Sequence, residues 1–380
     1  MKELSAFNLV AFILPPATAM AGTRLNRWIL GEKYEAEFGF GFRFAFGLAI
    51  GMLVFTQAFL FSAMVGLNAA ALLAWVGILW GGTETVLAAM KFPATWKSLK
   101  FQPSHLWLLL LLPLLYSGWV FGQLSTLEGT LEYDANAFWV FKAKILYLEH
   151  GRDLFNILHQ TNLSYTHLSY PMLVPCLYAL DYGAVGGVDE FVNKVWPFWM
   201  MVALCVAVLS YARIWKNPHP LPIAAVTLIA FLPASLQFIR NEGGTIPMVF
   251  CISMTSLLVM RAFSSGREAV PAALPALPLA FAICFATKLE GVVFAGLTCL
   301  ALIPFGVLRG WFKNKVLWKS VIVAGVCTLP YIIYRLTKPV PHPEDAWLHA
   351  GMAAAPHSLV HRFAQMWFLD VFARFFSPEF

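Results

Sequence analysis

An all-α polytopic membrane protein with about ten transmembrane helices is the fold expected of this chain, and three observations lead there. Hydrophobic residues make up 59% of the 380 and charged residues only 12%. The mean hydropathy of +0.70 exceeds what a water-soluble surface carries. The apolar residues fall into runs near the roughly 20-residue length that crosses a bilayer, with Lys and Arg clustered between the runs. The net charge of +6 is thereby explained by topology, and nucleic acid is not an expected partner.

The first run, 6 to 22, is preceded only by Lys2 and lacks the basic region of a cleaved signal, so it is expected to be a retained span. Runs at 41 to 63 and 66 to 90 complete an N-terminal group of helices over 1–104. A larger transmembrane core, 105–335, begins with a run at 105 to 122. A long exoplasmic loop, 123–192, separates that run from further ones at 193 to 212, 220 to 239, 244 to 262, 270 to 287, 290 to 308 and 317 to 335. Met172 to Gly186 is apolar but short, and Pro175, Asp181 and Tyr182 interrupt it, so it is expected to be re-entrant or juxtamembrane. The six cysteines stand singly without metal-ligand spacing and read as packing residues. The tail, 336–380, holds Val360, Phe363, Met366, Trp367, Val371 and Phe375 on one helical face, broken by His361, Arg362, Asp370 and Arg374. It is expected to lie at the exoplasmic interface, in a chain that is either a compact variant or a truncated one.

Loop charges set the orientation. Arg24, Arg27 and Lys33 share a loop, as do Lys91, Lys97 and Lys100; Arg213 and Lys216; Arg261 and Arg267; and Arg309, Lys313, Lys315 and Lys319. All five clusters fall on one side only if 172 to 186 does not cross, and the positive-inside rule makes that side the cytoplasm. The opposite, exoplasmic side then collects Asp134, Glu190, Lys194, Arg240, Glu242, Lys288 and Glu290.

The most informative stretch runs from Glu132, Tyr133 and Asp134 through Phe138 and Trp139 to Lys142 and Lys144. Its charges require water or a polar cavity at the membrane surface, where a carboxylate can act on a lipid-attached substrate. It is followed in order by His167-Leu-Ser-Tyr170-Pro171, Asp189-Glu190 with Lys194, Arg240-Asn241-Glu242, and Lys288-Leu289-Glu290-Gly291. Over about 120 to 310 this series resembles bacterial membrane glycosyltransferases of the GT-C superfamily, relatives of the protein O-mannosyltransferases and the lipid A aminoarabinose transferases.

The resemblance implies a GT-C-like fold whose first exoplasmic loop carries a catalytic acid and juxtamembrane helices, and whose donor is a polyprenyl-phosphate sugar. Asp134 matches the acid, Tyr170 and Pro171 the segment before a juxtamembrane helix, and Glu190 with Lys194 an acidic-x-x-x-basic element. Relatives often place an aspartate in the second exoplasmic loop, to which a metal role is attached. Here Glu242 is the only local substitute, so a divalent cation, Mg or Mn, is left open as cofactor. Three spans precede the core that holds the motif region, where simpler relatives have none.

The chemistry suits these residue types. Asp134 would take the proton from an acceptor hydroxyl as general base. Lys288, Arg240 and Lys194 would bind the donor phosphate and stabilise its departing charge. Glu242, Glu190, Glu290, His167 and Tyr170 stand as substrate or metal contacts, and a single displacement inverts the sugar carbon. The partners implied are the polyprenyl-phosphate sugar, membrane lipids, and an acceptor glycan, lipid or protein. The location implied is a bacterial inner (plasma) membrane, with the site facing the exoplasm.

Plainer readings stand beside these. Asp134 can be the N-cap of a helix starting at Ala135, and Glu190 with Lys194 a helix-surface ion pair. Arg240 with Glu242 can be a locally paired turn, and His167 a structural histidine. Lys142 and Lys144 read best as snorkelling to headgroups. Glu290, two residues from Lys288, is poorly directed along a helix to pair with it. A transporter or flippase of lipid-linked sugars and a non-catalytic assembly subunit remain as other classes, while P-loop, zinc and serine-triad patterns are not seen.

Overall fold

The computed structural model describes residues 7–90, 135–158, 160, 170–214, 244–264 and 271–337. The runs expected at 105 to 122 and 220 to 239, and the tail helix at 357 to 376, lie outside the described residues. Within them the chain is helical, and six helices are long and apolar enough to cross a membrane: Phe40–Met64, Ala70–Met90, Glu190–Tyr211, Thr245–Phe263, Glu290–Leu308 and Lys315–Thr337. Each coincides with an expected run. The first expected run is the helix α1 (Phe7–Leu30), which contains Pro15 and Pro16 and carries Arg24 and Arg27 in its last turns. The run at 270 to 287 is shorter than expected: a 3-10 turn, Leu274–Ala276, followed by only 11 helical residues, Leu277–Thr287.

A short α2 (Glu32–Glu37) leads to α3 (Phe40–Met64), the central helix, where Phe42, Phe46 and Phe59 are fully buried. Membrane helices gain no hydrophobic drive from meeting each other, so close backbone approach between small residues must hold them. α1 and α3 meet that way. A Cβ on Gly47 would strike the backbone of Ala19 and Thr23, and one on Gly51 the backbone of Thr18. α4 (Ala70–Met90) continues the group and leaves Leu72, Leu79 and Val86 exposed, an apolar face suited to lipid.

A π-helical turn, Ala135–Val140, runs into α5 (Phe141–Leu148), and α6 (Gly151–Leu158) follows. Next come α7 (Leu173–Val185), a 3-10 turn Glu190–Lys194, and α8 (Val195–Ile214). α9 (Thr245–Ser264), α10 (Leu277–Thr287), α11 (Leu289–Leu308) and α12 (Lys315–Thr337) complete the described helices.

Contacts sort these elements between two ends. At one end Glu35 pairs with Arg27 at 3.3 Å and Arg43 at 3.4 Å, and Glu84 lies 3.6 Å from Arg24. There too Glu37 accepts from Arg261 Nε at 2.6 Å and from the Ala272 N–H at 3.2 Å. Lys319 donates to the Trp28 carbonyl at 2.6 Å. At the other end the Trp199 indole donates to the Phe12 carbonyl at 2.9 Å, Asn68 donates to the Tyr147 carbonyl at 3.0 Å, and Phe155 stacks on Tyr334.

α7 belongs wholly to that second end. All thirteen of its residues are buried, Tyr182 meets Tyr147 edge-on, and Asn193 donates to the Tyr182 hydroxyl at 3.1 Å. Tyr170 ahead of α7 and Tyr182 near its close thus lie at the same end of the bundle. Gly186 terminates α7 with φ 78°, a left-handed conformation that glycine adopts without Cβ strain, and Gly187 N–H closes on the Tyr182 carbonyl at 3.0 Å.

Candidate functional site

The second end gathers an aromatic pair between two lysines. Trp139 projects from the π-helical turn before α5, and Tyr170 sits just ahead of α7. Their rings stack with centroids 5.7 Å apart at 28°. Lys142, one turn beyond Trp139, brings its ammonium to 6.0 Å from the Trp139 centroid and 5.9 Å from that of Tyr170. Lys288 reaches Tyr170 from elsewhere in the chain, also at 5.9 Å. It is the single extended residue (φ −157°, ψ 162°) separating α10 from α11, a break that brings its side chain to this end of the bundle. Both ammoniums lie within the range at which a ring quadrupole attracts a cation.

Several expectations change here. Lys142 does not snorkel: it is fully buried among the aromatics, because the helix that carries it packs against α7 instead of facing headgroups. Lys144 forms an ion pair with Glu190. Glu190 does not show the expected surface pairing with Lys194, which is fully buried. The turn carrying both is a 3-10 helix, in which residues four apart point about 120° away from each other. Asp189 caps that turn by accepting from the Phe191 N–H at 3.0 Å. Glu290 does pair with Lys288, at 3.3 Å. The helical-spacing argument against that pair fails because Lys288 is extended and lies outside the helix.

Of the residues singled out from the sequence, Tyr170 and Lys288 are brought together, with Glu290 on Lys288. Glu190 joins the neighbouring Lys144. Asp134, His167, Arg240 and Glu242 lie outside the described residues; Asp134 immediately precedes the π-helical turn in sequence, and Glu242 stands two residues before Gly244. Trp139 and Lys142 carry more of the arrangement than their sequence reading gave them. Their i, i+3 spacing in a charged aromatic segment was the available signal.

Asp181 is a further surprise. Its carboxyl is fully buried on α7, and neither oxygen has a hydrogen-bond partner among the described residues. Burial pushes the carboxyl well above the usual carboxylate range, opposed by the adjoining Trp196 indole. The Trp196 N–H lies beside Asp181 without reaching hydrogen-bond geometry.

Chemically, the arrangement places a buried ammonium, Lys142, and a partly exposed one, Lys288, over aromatic faces, which suits recognition of an anion. Among the described residues no three His, Cys, Asp or Glu side chains gather around one point in a manner that would hold a metal ion. Compared with known proteins, the chain matches no family model, no curated protein and no solved structure.

Proposed function

We propose that this protein is an inverting membrane glycosyltransferase that moves a sugar from a polyprenyl-phosphate donor to an acceptor at the exoplasmic face. The observation that carries the reading is the convergence of Lys142 and Lys288 on Tyr170, at the end of the bundle opposite the arginine-rich ion pairs. The positive-inside rule assigns that opposite end to the exoplasm. Ammonium groups offset charge that grows on a departing lipid phosphate more strongly in a partly buried site than in bulk water. Lys288 shares its charge with Glu290, so a phosphate bound there competes with a carboxylate.

Asp134 is assigned the role of general base, since it directly precedes the helical segment that carries Trp139 and Lys142. Proton removal from the acceptor hydroxyl and attack on the anomeric carbon form the new glycosidic bond as the sugar–phosphate bond breaks. The phosphate leaves with the electron pair, and the anomeric centre inverts. Lys194 and Arg240 remain proposed phosphate contacts, and His167, Glu190, Glu242 and Glu290 proposed substrate contacts. A divalent cation is not needed for this balance.

The test is binding of polyprenyl monophosphate by the purified chain in nanodiscs. Lys142→Ala and Lys288→Ala are each expected to weaken it by about tenfold or more, the worth of one charge-assisted contact. Binding unchanged in both variants would remove the basis of the proposal.

A further inference from the structure

Trp139 touches more than Tyr170. Gly244 caps the start of α9, its carbonyl accepting from the Met248 N–H at 3.2 Å, and it is buried against the indole. A Cβ at Gly244 would lie 2.6 Å from Trp139 Cζ2, 2.9 Å from Cη2 and 3.1 Å from Cε2, closer than side chains pack. Capping does not explain a glycine here, because Ser, Asn or Asp would cap at least as well. Its φ is not in the left-handed region, so backbone freedom does not explain it either. The remaining explanation is room for the indole.

Resting on the function proposed above, we infer that Trp139 is a positioning residue that sets the Lys142–Lys288 spacing across Tyr170, and that Gly244 is its seat. The indole is 3% exposed and held between the start of α9 and the Tyr170 ring. Lys142 lies one turn further along the same helical run, and Lys288 packs on the far partner of the stack. A methyl group at Gly244 moves the indole, and the indole carries Tyr170 and Lys142 with it. Displacements of about 1 Å at such sites have large consequences for ligand geometry. The seat thus couples α9 to the phosphate-binding lysines without touching the ligand.

The experiment compares the full chain in nanodiscs with polyprenyl monophosphate as probe, reading affinity and thermal midpoint. Gly244→Ala and Gly244→Ser are both expected to weaken binding on the order of tenfold. The serine variant matters because it caps a helix well, so recovery of binding by serine would assign Gly244 to capping and overturn the inference. Adding Trp139→Phe to Gly244→Ala removes Cζ2 and Cη2, and is expected to restore binding to within about threefold of Trp139→Phe alone. Failure of that rescue overturns the inference. Should Gly244→Ala not fold, Trp139→Phe alone decides: it is expected to keep its thermal midpoint within a few degrees and lose about threefold in affinity, whereas unchanged affinity overturns the inference. If the wild-type chain does not bind the probe, the proposed function fails and takes this inference with it. Wild-type binding with full affinity in Gly244→Ala defeats the positioning role alone.

Discussion

Single side chains at the second end of the bundle make separable predictions. Burial raises the Asp181 carboxyl well above the usual carboxylate range, so between the unfolded and folded values the folded chain binds a proton that the unfolded chain releases. Stability contributed there is present at low pH and is lost as pH rises from about 4 toward the raised folded value, with a slope of at most about 1.4 kcal/mol per pH unit. Asp181→Asn is expected to flatten the fall in thermal midpoint above about pH 4; parallel profiles would contradict a raised Asp181 carboxyl. Glu290 competes for Lys288, so Glu290→Gln is expected to tighten polyprenyl monophosphate binding by a few fold, about the worth of a partly exposed ion pair. Weaker binding would instead make Glu290 an orienting partner. The sequence marked Lys288 and Glu290 as notable but misjudged their geometry, since spacing rules for helices do not apply to the one extended residue between two of them.

Whole helices were the most legible part of the chain. Runs of apolar residues near spanning length became the six long apolar helices because a bilayer-length helix leaves little choice of conformation. α7 was recognisable as too short and too polar to cross, and it lies buried at one end. The face that a short helix presents was not legible: α5 lies between polar segments, and nothing in its eight residues says that Lys142 turns inward and Lys144 outward. That choice is made by α7, which the sequence places some thirty residues away. Packing of α1 on α3 predicts that Gly47→Val destabilises by about 1–3 kcal/mol through overpacking, while a valine at the open position Gly82 has no neighbour to displace. Equal thermal midpoints for the two variants would contradict the close crossing.

Taken as a whole, the molecule is a bundle with ion pairs and cation–aromatic contacts at both ends. At one, Arg27, Arg43 and Arg261 pair with Glu35 and Glu37, and Lys319 and Arg309 lie over Trp28, Phe263 and Trp311. At the other, Lys142 and Lys288 converge on Tyr170, with Glu290 paired to Lys288. Cysteines placed at Lys313 and at Val188 are expected to be labelled from opposite sides of the membrane, Val188 from the exoplasm; labelling from one side would break the topology. The order of motifs singled out Tyr170 and Lys288, which the fold brings together, but Asp134 and Glu242 lie outside the described residues, so the proposed base is assigned by position in the chain. The direct measurement is sugar transfer by the purified chain from a polyprenyl-phosphate-linked donor, with the product anomer identified. Wild type is expected to transfer with inversion, and Asp134→Asn to stay folded and bind polyprenyl monophosphate while losing at least about a hundredfold in rate. Transfer by Asp134→Asn at the wild-type rate, or a product of retained configuration, would contradict it.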